Sequence, residues 1–390
     1  MASYISSDAN RFYVVLENSY GNVSPASSTN RIPAVSLAIR QQLETAERKD
    51  KTGSRTFGGV PPGGRRRTTF ELQTYMTSWS DRAHDPAHGP LVQASLGGIP
   101  MRFPGAPAGS GSNGRNLVFG AAHGLSSGQA VTYAGEIRFV TASLGPTAVQ
   151  LNAPFSTIPA LGTPIGPTIT YMPGTALPSV SIFDYWSPAT AIQRLVCGGA
   201  INRMTVRVNG DFHQFEFGGL GQDIVDSASF VGGIGQLDSF PPEPAIAQFD
   251  YSIIPGHMGQ AWIGNTPDRL FTVTDATFVL DNGLQLRTKE FGSSIPRAIL
   301  PGRRTVSVDF SLFGQDDTAT NSLYQAAKQQ SPISVMFQLG EQDGQLVGVY
   351  LKSVIPEVPE FNDAESMLQW HFRESRAQGT VDDEIMVAFG

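Results

Sequence analysis

Ser126 stands in GLSSG, residues 124–128, a G-x-S-x-G pattern that can carry a nucleophilic serine for ester hydrolysis. That chemistry needs a strand before the serine and a helix after it, which lift the hydroxyl above a sheet. The residues that follow, QAVTYAGEIRFV, read as strand and turn, so the match is assigned to chance in a chain with 42 glycines. His84 and His88 in HDPAH are four apart, the spacing of a helical zinc pair, but Pro86 breaks the helix and no glutamate completes a metalloprotease motif. HDPAH therefore reads as a flexible loop. His123, His213, His257 and His371 have no second ligand within sequence reach, and no metal or cofactor is expected. The neighbouring acids Asp316 and Asp317, and Asp382, Asp383 and Glu384, sit beside Thr and Gly and read as solvated turn residues. GGLGQD and GGIGQL lack the third glycine and the helix of a dinucleotide loop. Arg65–Arg67 and Arg303–Arg304 are too few to hold nucleic acid on a chain of formal charge -7; they are expected to pair with acids of a neighbouring subunit.

The elements around these residues are mostly strands. TVSVDFSL puts Val306, Val308, Phe310 and Leu312 on one face and Thr305, Ser307, Asp309 and Ser311 on the other, the period of two of a half-buried strand. TTFELQTYM alternates less cleanly, with Phe70, Leu72 and Met76 opposite Thr69, Glu71, Gln73 and Tyr75. NRMTVRV, HQFEF, ISVMFQL, GVYLKSV and MLQWHF are further strands by length and residue type. The best helix is TATNSLYQAAKQQ, where Leu323, Ala326 and Ala327 share a face and Pro332 ends the pattern.

The order of elements repeats. PGGRRRTTFEL at 62–72 and PGRRTVSVDFSL at 301–312 each lead from a turn into an alternating strand. Each is followed by a polar stretch, a short helical piece (LVQAS, LYQAA), and a strand, IPMRF ending at Phe103 and ISVMF ending at Phe337. NGDFHQFEFGGLGQDIVD then parallels NDAESMLQWHFRESRAQGTVDD. The expected division is residues 1–104 plus 186–226 as a first domain, 105–185 as an inserted small β module, 227–262 as a Gly/Pro-rich linker, and 263–390 as a second domain.

Composition agrees with an assembling β protein. Charged residues are 16%, against roughly a quarter in ordinary soluble domains, so little of the surface is spent on solvated charge. Cys197 stands alone, which excludes an internal disulfide. The opening MASYISSDAN has neither the basic nor the apolar part of a secretory signal, and no apolar run approaches the roughly 18 residues of a membrane span. The expectation is a protein made soluble in a cytoplasm, with no membrane partner.

Taken together, PGRRTVSVDFSLF, SLYQAAKQQSP, ISVMFQLG, MLQWHFRESRAQG and the ending DDEIMVAF resemble the tail tube proteins of tailed bacteriophages, and RFYVVLENSYG with RMTVRVNGDFHQFEFGG resembles a second such domain. The resemblance implies an all-β fold with minor α: two tandem tail-tube-type β-sandwich domains, each flanked by a short helix, plus the inserted module. It implies a structural virion protein rather than an enzyme, self-assembling into stacked rings that conduct the genome. A baseplate or distal tail ring component is the alternative, and a β-sandwich hydrolase a more remote one. Two domains per chain imply a homotrimeric ring with pseudo-sixfold symmetry. Implied partners are the tape measure protein and genomic DNA in the lumen, with terminator and tail tip proteins at the ends. The loops at 45–66 and 287–304 would contact the next ring through Arg48, Lys49, Lys51, Arg55, Arg65, Arg66, Arg67, Arg287, Lys289, Glu290, Arg297, Arg303 and Arg304. By alternation Glu71, Gln73, Gln214, Glu216, Ser307, Asp309 and Ser311 would face the bore, an acidic and hydroxyl lining that phosphate slides past.

Overall fold

The computed structural model describes residues 4–45, 51, 53–56, 59, 64–79, 81–245, 252–265, 268–288, 290–364 and 366–390. Strands take 47% of the residues and helices 7%, so the chain is all-β with minor α. The amino-terminal elements are β1 (Asn10–Leu16), β2 (Arg31–Ile32), β3 (Ala34–Glu44), β4 (Arg65–Tyr75) and α1 (Gly89–Leu96). Next come β5 (Met101–Phe103), β6 (Ala106–Pro107), β7 (Asn116–Val118), β8 (Ala130–Tyr133), β9 (Glu136–Gly145), β10 (Ala148–Leu151), β11 (Pro164–Ile165) and β12 (Thr168–Tyr171). Then follow β13 (Val180–Trp186), β14 (Arg194–Val208), β15 (Gln214–Gly221) and β16 (Asp223–Asp226). The rest of the chain forms β17 (Gly259–Gly264), β18 (Asp268–Leu270), β19 (Val273–Asp281), β20 (Gln285–Leu286), β21 (Ile299–Leu300) and β22 (Thr305–Phe313). It ends with α2 (Thr318–Gln329), β23 (Ile333–Leu339), β24 (Val347–Ile355), β25 (Glu360–Asn362), β26 (Gln369–Ala377) and β27 (Met386–Phe389).

One long antiparallel sheet organises the molecule, in the order β3–β4–β15–β14–β19–β22–β26–β25. Alternation drives its apolar face inward: Phe70, Leu72, Met204, Val206, Phe215, Phe217, Phe278, Leu280, Val308 and Phe310 are all at most 1% exposed. Each such side chain contributes about 1.5–3 kcal/mol by leaving water. The core lies between this face and two covering layers. Over one half lies β2–β1–β13–β14–β16, using the first part of β14. Over the other half lies β18–β17–β23–β24–β27–β12–β5. Both helices close the core. Leu91, Val92 and Leu96 of α1 are fully buried, and Gly97, at φ 91°, ends the helix where a Cβ would meet the Ala176 carbonyl at 2.5 Å. At the start of α2 the Asp317 carboxylate accepts from Thr320 N at 2.7 Å.

The pairing order recurs along the chain. β1 pairs β2 and β13 as β17 pairs β18 and β23; β14 takes β13 and β16 as β24 takes β23 and β27. β4 lies between β3 and β15 as β22 lies between β19 and β26. Even the irregularities coincide, with a register shift at Ala34/Ser36 in β3 and at Val273/Asp275 in β19. This order corrects one alignment made from sequence. The strand standing where β23 stands is β13, VSIFDYW, and not IPMRF, which forms β5 at the far edge beside β12. The slot beside β1 is filled only after the chain has returned from its long excursion, so residues 180–185 belong with Trp186 to the covering layer rather than to the inserted module. The linker boundary also moves, because β17 starts at Gly259.

The excursion docks on the second half of the chain. The β8–β9 hairpin lies on β17, β23 and β24, with Phe139 stacked on Tyr350 at 5.2 Å. Arg138, fully buried, is the anchor. Its guanidinium donates to the Ile137 and Pro154 carbonyls and to Oε1 of Gln338 and Gln260, and lies 3.0 Å from Glu136 and 4.9 Å over the Trp262 ring. Burial pulls the Arg138 pKa down to about 10, with Glu136 opposing. Over the other half, residues 227–245 are a packed strap: Phe230, Ile234, Leu237 and Phe240 lie on the Tyr13–Tyr185 cluster, and Glu243 grips Arg11 and the Tyr13 hydroxyl.

Candidate functional surface

The long sheet leaves one face polar, and cross-strand register places every residue on it. One row runs Ser36, Gln73, Glu216, Thr205, Val279, Ser307; the next runs Gln214, Arg207, Thr277, Asp309; a third runs Ala38, Glu71, Gly218, Arg203, Asp281. All seven residues expected on the wet face, Glu71, Gln73, Gln214, Glu216, Ser307, Asp309 and Ser311, thus share it. Ser311 is the most enclosed, at 7% exposed, and is hydrogen-bonded to Asp275 and His371. The Gln73 amide donates to Gln214 Oε1 at 2.6 Å, and the Asp309 carboxylate accepts from Glu374 N at 2.6 Å. The face is not purely acidic, however. Arg207 pairs with Glu216 at 2.7 Å, and Arg203 and Arg40 lie on the same side. Their signal was present in NRMTVRV, whose Arg203, Thr205 and Arg207 alternate with the buried Met204 and Val206.

Both long loops leave the sheet at the same end. β3 ends at Glu44 opposite Arg65, and β19 ends at Asp281 opposite Thr305. Arg48, Lys49 and Lys289 lie outside the described residues. Lys51, Arg55 and Arg303 are exposed, and Phe291 projects fully. Arg65, Arg66 and Arg67 belong to β4 itself, where the Arg66 backbone donates to Ser294 O and ties the two loops together. Glu290 is flanked by Arg287 and Arg297. Two of the arginines expected to reach a neighbouring subunit instead clasp their own chain. Arg66 meets Asp223, the first residue of β16, at 2.7 Å, and Arg304 meets Asp382 and Glu384, just before β27, both at 2.5 Å. The reason is geometric: in each half the last strand of the covering layer starts beside the arginine turn.

With this surface in place, the sequence comparison decides the family. Residues 106–390 match the phage tail tube protein family. This chain belongs to that family. The match takes in the excursion as well as the second half, and no curated protein matches the chain. A tail tube protein is a structural component of the virion tail.

In this tail tube protein the residues with catalytic-looking spacing have structural duties. Ser126 lies in a turn followed by β8, its backbone N–H donating to Gln129, and the His123 ring is held between Leu125 N and the Gly145 carbonyl. Asp383 receives Lys352 at 2.9 Å. Among the described residues no three His, Cys, Asp or Glu side chains are grouped to hold a metal, and no helix is long and apolar enough to cross a membrane.

HDPAH is less of a loop than its sequence implies. His84 pairs with Asp81, but His88 is buried against Phe215 and Phe389, with Nε2 near the Thr74 hydroxyl and the Tyr75 carbonyl. Burial pulls the His88 pKa down to about 4, against the pull of the Tyr75 carbonyl. The folded state thus keeps His88 neutral while the unfolded chain takes up a proton first, so stability is full above about pH 6.5 and falls as pH drops toward 4. The loss approaches about 3 kcal/mol. Denaturant titrations from pH 7 to 4 should show it, with a flatter profile in His88→Gln; equal slopes would remove His88 as the cause.

Proposed function

We propose that the chain is two equivalent tube domains, that three chains close a ring with pseudo-sixfold symmetry, and that rings stack into the tube through which the genome passes. The observation that carries this reading is the pairing of β14 with β19, which joins the two halves in one sheet and, among the described residues, leaves β3 and β25 as its free edges. An open polar-faced sheet with complementary ends is stable against uncontrolled edge pairing only once it closes. Closure turns the polar face into the bore, where tape measure protein and then DNA would lie. The loops with Lys51, Arg55, Phe291 and Arg303 project from one rim, and exposed Asp211, Asp316 and Asp363 lie toward the other, which suits head-to-tail stacking. Terminator and tail tip proteins would cap the two ends.

Native mass measurement and negative-stain microscopy of the purified chain test this. Rings of three chains and hollow filaments are expected. A persistent monomer would overturn the reading, and discrete rings that never stack would favour a distal ring component. The mixed lining also makes a prediction. Glu71→Lys with Ser307→Lys adds phosphate-binding charge to the bore, so tubes should assemble while DNA release slows, most at low salt. Unchanged release would place these residues outside the channel.

A further inference from the structure

The junction between chains has a template inside the chain. Superposing the halves by their register, with Arg66 on Arg304 and the two register shifts aligned, puts Ile39 where Phe278 stands, Arg40 where Val279 stands and Ala38 where Thr277 stands. On the other side, β25 occupies the place of the second part of β14: Phe361, opposite Trp370, matches Val206, opposite Phe215. Glu360 likewise matches Thr205, and Asn362 matches Arg207. Within the chain, Val206 faces Phe278, Thr205 faces Val279 and Arg207 faces Thr277.

We infer that β25 of one chain pairs antiparallel with β3 of the next in this same register: Phe361 opposite Ile39, Glu360 opposite Arg40, Asn362 opposite Ala38. The inference deepens the ring reading above and rests on it. The occupant of each free edge is a second copy of this chain. Burial favours this. Val206 and Phe278 are at most 1% exposed at the internal junction, whereas Phe361 is 56% exposed although stacked on Trp370, and Ile39 is half-buried. These two apolar side chains are the ones that the missing neighbour would cover. Charge agrees as well. Glu360 reaches its own Arg373 at 3.1 Å, with both side chains 66% exposed, so it can receive Arg40 as a second cation.

Cysteine pairs read the register directly, since facing residues on antiparallel strands hold their Cβ atoms about 4.5–5.5 Å apart and diagonal ones about 7–8 Å. Arg40→Cys with Glu360→Cys samples one class of cross-strand pair, and Ile39→Cys with Phe361→Cys the other. The sole native cysteine, Cys197, is buried and does not interfere. Under mild oxidation of assembled protein, at least one pair should give covalent dimers and trimers and nothing larger, while Arg40→Cys with Asn362→Cys stays monomeric on a denaturing gel. Rings that form without cross-linking in either facing pair, or that cross-link only in the diagonal pair, would overturn the register and leave the ring intact. Covalent species up to six would keep the register and overturn the three-chain ring. Absence of rings from the wild-type chain would overturn both.

Discussion

Arg138→Met should lower the stability of the folded chain by about 3–5 kcal/mol, the cost of breaking a buried ion pair from one side. Methionine fills much of the volume and keeps a contact with Trp262, so the loss is electrostatic. Glu136 would keep donors from Ser156 and Gln260 but lose its cation, and Gln338 Oε1 and the Pro154 carbonyl would each lose a donor. At present burial pushes the Glu136 carboxyl up, and Arg138 with the Ser156 donors more than reverses it. The double variant Arg138→Met with Glu136→Gln should recover part of the loss, because no uncompensated charge is left in the interior. Denaturant unfolding checks both. The same experiment should reveal a second, earlier transition for the β8–β9 hairpin in Arg138→Met, since the hairpin then keeps only its apolar contacts and the hydrogen bonds of Gly135, Glu136 and Ile137 to Asp343, Gln260 and Gln338. A single variant within about 1 kcal/mol of wild type would show that the network is not an anchor.

The second large effect concerns assembly rather than folding. Ile39→Asp should leave a folded chain whose ring assembly is weakened by about 100-fold or more, equivalent to nearly 3 kcal/mol per junction. In the separate chain residue 39 is only partly buried, packed at the rim of the core on an edge strand, so a carboxylate there keeps part of its hydration and costs less than it would in a closed junction. In the ring it would be pressed against Phe361 with no donor to receive it. Sedimentation across a concentration series would separate the two cases: a lowered melting temperature with normal rings would place Ile39 in the monomer core, away from any junction.

Much of the long sheet was legible before any coordinates. In PGGRRRTTFEL and PGRRTVSVDFSL the apolar residues recur every second position, and a strand has only two faces, so Glu71, Ser307 and Asp309 had to lie opposite Phe70, Val308 and Phe310. NRMTVRV carried the same information for Arg203 and Arg207, which make the polar face mixed in charge rather than acidic. The partners of the arginine turns were not legible. Arg66 and Asp223 are 157 residues apart, and nothing local distinguishes an arginine that clasps its own chain from one that waits for a neighbour. His88 shows the same gap, since Pro86 rules out one helix but says nothing about the aromatic wall that buries the ring.

Alternation, the two arginine turns, helix α2 and the family were therefore determined by the sequence alone, because each depends on residues within a few positions of one another or on their order along the chain. Only the tertiary structure decided that β13 rather than β5 stands beside β1, that the excursion is anchored on the far half through Arg138, and that β3 and β25 are the edges left open. Those outcomes depend on contacts between residues 100 to 200 positions apart, such as Arg138 with Gln338. Their free energy comes from shared burial and satisfied buried polar groups, which no local period encodes.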